Sequence, residues 1–189
     1  MSHEPAALSS ELQQKLLRMA RETIVSYVRA RQAPEYEVTE PELLEKAGAF
    51  VTIKRRGQLR GCIGYVEGVK SIWETIVDMA IAASSEDPRF HPMTVDELSD
   101  FDVEISVMTP LRKGRPDEVQ VGVHGILMRR GYRSGLLLPQ VATENGWDRE
   151  TFLAHTCLKA GLPTTAWRDP DTAIYLFSAQ VFGEKDEHD

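Results

Sequence analysis

The chain is predicted to adopt an α+β fold in which an antiparallel or mixed sheet is flanked by helices. Helical and strand periodicities alternate along the sequence, capping-box patterns open the helical stretches, and most strand-to-strand connections are short and hairpin-like. A doubly wound parallel sheet would need a crossover helix between successive strands, whereas residues 49–66 turn straight back on themselves.

Taken in order, Ser10-Glu11-Leu12-Gln13 has capping-box form, and Leu12, Leu16, Met19, Ala20, Ile24, Tyr27 and Val28 follow at helical intervals. A first helix is expected there, ending before Pro34. Thr39-Glu40-Pro41-Glu42 repeats the pattern and predicts a short helix that stops at Gly48. The period then drops to two. Residues 49–54 are β-rich, Arg55-Arg56-Gly57-Gln58 reads as a turn, and residues 59–66 run back. Ser71-Ile72-Trp73-Glu74 caps the next helix, whose apolar stripe is Ile72, Trp73, Ile76, Val77 and Ala80. A polar loop over 84–92 leads to Thr94-Val95-Asp96-Glu97, one helical turn. Residues 101–109 alternate Phe101, Val103, Ile105 and Val107 with polar positions, as a strand with one buried face does. Segments 119–123, 125–130 and 135–138 are shorter strand candidates. Asp148 caps a helix through Ala160 with Gly161 as its stop, and residues 173–182 form the last strand. The domain is expected over 10–183, with a possible small lobe in the glycine-rich stretch at about 110–142 and loose ends at 1–9 and 184–189.

Composition narrows the function classes. A chain of 189 residues with 42% apolar and 27% charged residues has ordinary globular make-up. It buries enough surface, roughly 70%, to fold without a disulfide or a metal. Cys62 and Cys157 lie far apart with no partner motif, which suits a reducing compartment. No basic start is followed by an apolar run, and Glu74 and Asp78 interrupt the most apolar helix, so the expectation is a cytoplasmic protein with no membrane segment. A net charge of −7 argues against nucleic acid as a partner. Three basic stretches temper that: Lys54/Arg55/Arg56/Arg60, Arg112/Lys113/Arg115 and Arg129/Arg130/Arg133. They fall at predicted turns and form a footprint only if they share a face. Walker, GxGxxG, CxxC, HExxH and CxxxCxxC patterns are absent, so the sequence names no cofactor and no metal.

Strand alternation puts Arg60, Cys62 and Gly64 on one side of the 59–66 strand and Leu59, Gly61 and Ile63 on the other. Cys62 would then sit one step from a guanidinium, between glycines that admit a ligand or another backbone. The competing reading is structural, with the cysteine as a small core hydrophobe and the glycines as room for the helix at 71–84. In Glu86-Asp87-Pro88-Arg89-Phe90-His91, the reading favoured is a structural Asp87–Arg89 ion pair with His91 solvated, over His91 as a base for Cys62. His124 is a catalytic candidate with no orienting partner identifiable, and Gln140 is a candidate binding residue. His155 and Cys157 point apart on one helix and cannot clamp a metal.

Leu59-Arg60-Gly61-Cys62-Ile63-Gly64 is the signature of the AMMECR-type domain family, and further segments agree in order: Gly48-Ala49-Phe50-Val51-Thr52-Ile53, Asp87-Pro88-Arg89-Phe90, Glu104-Ile105-Ser106-Val107-Met108-Thr109-Pro110, Val123-His124-Gly125, Leu138-Pro139-Gln140-Val141-Ala142 and Lys159-Ala160-Gly161. The chain resembles that family over about residues 10–183. The resemblance implies a two-lobed α+β fold with the signature near a cleft between the lobes. Through the AmmeMemoRadiSam system of its bacterial members it also implies a Memo-like protein and a radical SAM enzyme as partners. It supplies no cofactor and no established activity. Proline stands in the family where this chain has His91, so a Cys62–His91 dyad is not what the family implies. The expectation is a protein that binds a small molecule or peptide-like group in a cleft lined by residues 59–64, with Cys62 as the residue for any chemistry. The rival readings are a non-catalytic adaptor and an RNA-binding accessory.

Overall fold

The computed structural model describes residues 7–187. In chain order its elements are α1 (Ser10–Ala30), α2 (Pro41–Leu44), β1 (Ala49–Arg55), β2 (Gln58–Tyr65), α3 (Ile72–Ser85) and β3 (Asp102–Met108). They continue with β4 (Arg112–Gly114), β5 (Gly125–Arg130), β6 (Arg133–Leu137), α4 (Pro139–Glu144), α5 (Arg149–Lys159), β7 (Ala173–Phe177) and β8 (Ala179–Gly183). The chain divides into two compact units, one running to Met108 and resuming at Gln180, the other Thr109–Ala179. The paired strands are antiparallel and helices accompany both sheets, so the α+β expectation holds.

The first unit is a sheet in the order β2-β1-β3-β8 packed with α1 and α3. Alternation along β1 sends Ala49, Val51 and Ile53 inward, where they meet Leu16, Ala20 and Ile24 of α1 and Ile76 and Ala80 of α3 in one core. Burying each of the larger side chains stabilises the unit by about 1.5–3 kcal/mol. Ser71 and Glu74 close a reciprocal capping box on α3, as the sequence predicts. At α1 the cap is Ser9, one residue before the expected Ser10. The β1–β2 hairpin turns through Arg56 at φ 53° and Gly57 at φ 76°, the left-handed pair a two-residue hairpin loop requires.

The ends of this unit are held in place. The Gln180 side chain accepts from the Leu8 N–H at 2.9 Å and donates to the Leu8 carbonyl at 3.1 Å. Glu184 accepts from Arg21 and from the Val103 N–H. Leu8, Ser9 and Glu184 are therefore packed or bonded, against the expectation of loose ends; residues 1–6 and 188–189 lie outside the described residues.

The second unit is a sheet in the order β4-β7-β5-β6 with α5 packed on β5 and β6. Phe152, Leu153 and Cys157 of α5 form its core with Ile126, Met128, Ile174 and Leu176. Asp148 caps α5 and Gly161 follows its end at φ 72°, both as predicted. Three expectations are corrected here. Residues 119–123 turn instead of extending, because the Val123 and His124 N–H groups both donate to the Gln120 carbonyl. The predicted strand over 173–182 is two strands in two sheets, broken at Ser178, which exchanges hydrogen bonds with Thr109. The basic stretch at 112–115, read as a turn, contains β4, paired to β7.

Candidate functional site

β2 is an edge strand, so the peptide groups on its outer side have no neighbouring strand to pair with. At Cys62 those groups are taken by side chains. Asp87, two residues past the end of α3, accepts the Cys62 N–H at 2.9 Å, and Arg89 Nη2 reaches the Cys62 carbonyl at 3.4 Å. The same Arg89 binds Asp87 through Nε at 3.0 Å and Nη2 at 2.8 Å, and its backbone N–H closes on Oδ1 at 3.1 Å. Asp87 is 2% exposed and thus a buried carboxylate with every hydrogen bond charge-assisted. The Arg89 guanidinium, with the N–H groups of Cys62 and Arg89, holds its carboxyl far below the usual range, and Asp87 in turn raises Arg89. The structural ion pair favoured by the sequence reading is present, and it serves as a clasp on Cys62.

Arg60 is held in a second such pair. The β1–β2 register shifts between Ile53 and Lys54, leaving Arg60 as the extra residue of a bulge, so the strict alternation expected for Arg60 and Cys62 fails there. The Arg60 guanidinium grips Glu97 at 2.7 and 3.1 Å and the His91 carbonyl at 2.8 Å, and none of its hydrogen bonds goes to Cys62. The cation predicted beside the thiol is therefore spent on Glu97. Arg60, with help from the Thr94 N–H and Arg55, pushes the Glu97 carboxyl down to about 2.

A folded-state value below the unfolded one of about 4.3 adds stability that is present above that pH and lost as pH falls toward 2. Urea denaturation at pH 7 and pH 3 checks this. Glu97→Gln should lower stability at pH 7 and cost much less at pH 3; an equal cost at both values contradicts it.

The two glycines of the signature have structural occupants. A Cβ at Gly61 would fall on the Ala83 carbonyl oxygen of α3, so the bare backbone lets the helix end rest on the strand. At Gly64 a Cβ would meet the Ala49 carbonyl oxygen as well as the backbone and ring of Phe50. Cys62 itself is half-buried and faces away from that helix contact, and its sulfur accepts the Thr52 hydroxyl at 3.2 Å. Thr52 aligns with Cys62 on one side and with Glu104 on the other, and Lys54 binds Glu104 at 2.9 Å. Thr52 and Glu104 were not singled out as site residues, because cross-strand neighbours depend on a register that one strand's sequence does not carry.

Beside β2 lies an open groove of about 510 Å³ lined by Arg60, Pro88, Arg89, Phe90 and His91. Arg60 and Arg89 both lie over the Phe90 ring, at 5.7 and 5.6 Å from its centre. Cys62 contributes its backbone to the clasp, and its side chain is not among the lining residues. Among the described residues no cluster of three or more metal-ligating side chains occurs, and no helix is long and apolar enough to cross a membrane.

His124 and Gln140 belong to the second unit. His124 Nδ1 accepts the Gln120 N–H at 3.1 Å, which ties the imidazole to its own turn. Gln140 sits in α4, a six-residue helix, and its carbonyl accepts the Thr143 hydroxyl. Cys157 is fully buried, and burial pushes its thiol up. The basic stretches are largely matched by acids: Arg55 and Arg56 by Asp100, Arg112 by Glu118, Arg115 by Asp117 and Arg130 by Asp169.

The family model described as AMMECR1 matches residues 17–182. The protein MK0488 of Methanopyrus kandleri is 46% identical over 181 residues, covering 90% of this chain and 87% of its own. The protein TK0174 of Thermococcus kodakarensis is 46% identical over 182 residues, covering 90% and 89%. The crystal structure of the uncharacterized protein PH0010 from Pyrococcus horikoshii superposes with a TM-score of 0.84 at 42% identity, over 94% of each chain.

Proposed function

The chain belongs to the AMMECR1 family, and from that premise we propose that residues 59–64 and the 87–91 loop bind a small molecule or peptide-like group in the groove beside β2. The observation that carries this reading is the way the groove's walls are fixed. Both arginines that line it are locked by carboxylates, Arg60 by Glu97 and Arg89 by buried Asp87. Side chains immobilised before a ligand arrives lose little entropy on binding, which is what a recognition surface needs. A purely structural ion pair would not require an aromatic ring under both guanidiniums at the rim of a groove.

Titration of the protein with a mixture of tripeptides capped at both ends, as N-acetyl primary amides, followed by amide NMR, tests the reading. Shifts should concentrate in residues 59–64 and 87–91 and weaken about tenfold or more in Phe90→Ala. Shifts confined to other residues, or none, contradict it.

Any covalent chemistry is proposed for Cys62, whose half-buried thiol lies outside the groove lining but on the strand that borders it; Cys157 is sealed in a core. In the native protein near pH 7, iodoacetamide should label Cys62 and leave Cys157 untouched until the chain unfolds. Labelling of both only after unfolding removes Cys62 from the proposal.

A further inference from the structure

We propose that the groove recognises a carboxylate, held by the free Nη1 groups of Arg60 and Arg89 beside the Phe90 ring. This rests on the binding role proposed above and names the chemistry of what is bound. Arg60 uses Nε and Nη2 on Glu97 and on the His91 carbonyl. Arg89 uses Nε and Nη2 on Asp87 and on the Cys62 carbonyl. Neither Nη1 donates to any described residue, while both arginines line the groove and both guanidiniums lie near the Phe90 ring that lines it too. A guanidinium nitrogen offers only donors, so the ligand must bring acceptors, and a planar carboxylate matches that geometry.

Two further features select among anions. Each arginine is already paired with one carboxylate, so the remaining pull suits a single negative charge better than the near-double charge of phosphate. Pro88 and Phe90 also line the groove and offer apolar surface beside the donors, which favours an organic acid over a bare ion. Two sources share this chemistry, the C-terminus of a peptide and a small aromatic or aliphatic acid.

The test compares N-acetylphenylalanine, its primary amide, phenylacetate and inorganic phosphate by amide NMR titration up to about 10 mM. The free acid should bind about tenfold more tightly than the amide, with shifts at the amides of residues 60, 89, 90 and 91. Arg89→Lys, which keeps the charge beside Asp87 but loses the planar fork, should erase most of that difference; Arg60→Lys repeats the test independently if the first variant melts early. Preference for N-acetylphenylalanine over phenylacetate indicates a peptide C-terminus, and the reverse indicates a small acid; both support the inference. Equal binding of acid and amide overturns it while leaving groove binding in place. Phosphate binding as tightly as the free acid also overturns it. No binding of any probe, with capped tripeptides still shifting the groove residues, overturns the carboxylate alone; silence of the tripeptides as well overturns the groove reading.

Discussion

Gly61→Ala should destabilise the protein by about 3 kcal/mol or more, the upper end of what forced overpacking costs. The added methyl would occupy the position of the Ala83 carbonyl oxygen, a main-chain atom at the end of α3 that no rotamer change can move. Helix and strand must separate, and Asp87 lies only four residues beyond Ala83, so its grip on Cys62 loosens as well. Trimming the neighbour, as in Ala83→Gly, should not rescue the variant, because the clash is with backbone. Gly57→Ala is the contrast: φ is 76° but no atom lies within 4 Å of the new Cβ, so the cost is near 1 kcal/mol. Thermal or urea denaturation separates the two, and similar small losses for both would contradict the packing account.

The second large effect is expected at Asp87. Asp87→Ala removes the acceptor of four hydrogen bonds and leaves the Cys62 N–H without a partner at the strand edge. Breaking a buried charge pair costs about 3–5 kcal/mol, but Arg89 is 55% exposed and recovers water, so about 3 kcal/mol is expected, a fall in Tm of roughly 10 °C. Asp87→Asn should fall between, since it keeps one acceptor and loses the charge. The sign with pH is fixed by the depressed carboxyl: the contribution is full above about pH 4 and lost as the solution becomes more acidic, so the gap between wild type and Asp87→Asn should close in acid. A gap independent of pH contradicts an ionised Asp87.

Features written in short stretches were legible in the sequence. The capping box at Ser71 and Glu74, the Arg56-Gly57 turn and the Asp148 cap depend on residues two or three positions apart, and each sits where predicted. The second sheet was less legible. β4 is three residues long and is defined by pairing with β7 some sixty residues later, a contact with no local periodicity to announce it. The break at Ser178 is invisible for the same reason, since 173–182 alternates well enough to pass as one strand. In the candidate site, Arg60, Cys62, Asp87 and Arg89 could be proposed from the sequence, and Asp87 with Arg89 as a pair. Their arrangement was not, because a bulge reassigns Arg60 to Glu97 and a loop 25 positions away supplies the partner of the Cys62 N–H.

The central claim is that Asp87 occupies the outward peptide edge of β2 and so builds the site around Cys62. Native-state hydrogen exchange of the Cys62 amide tests it directly. Strong protection is predicted in the wild type, well above that of the Gly64 amide on the same outward edge, and its loss in Asp87→Ala. A Cys62 amide that exchanges as fast as Gly64, or stays protected without the carboxylate, contradicts the account.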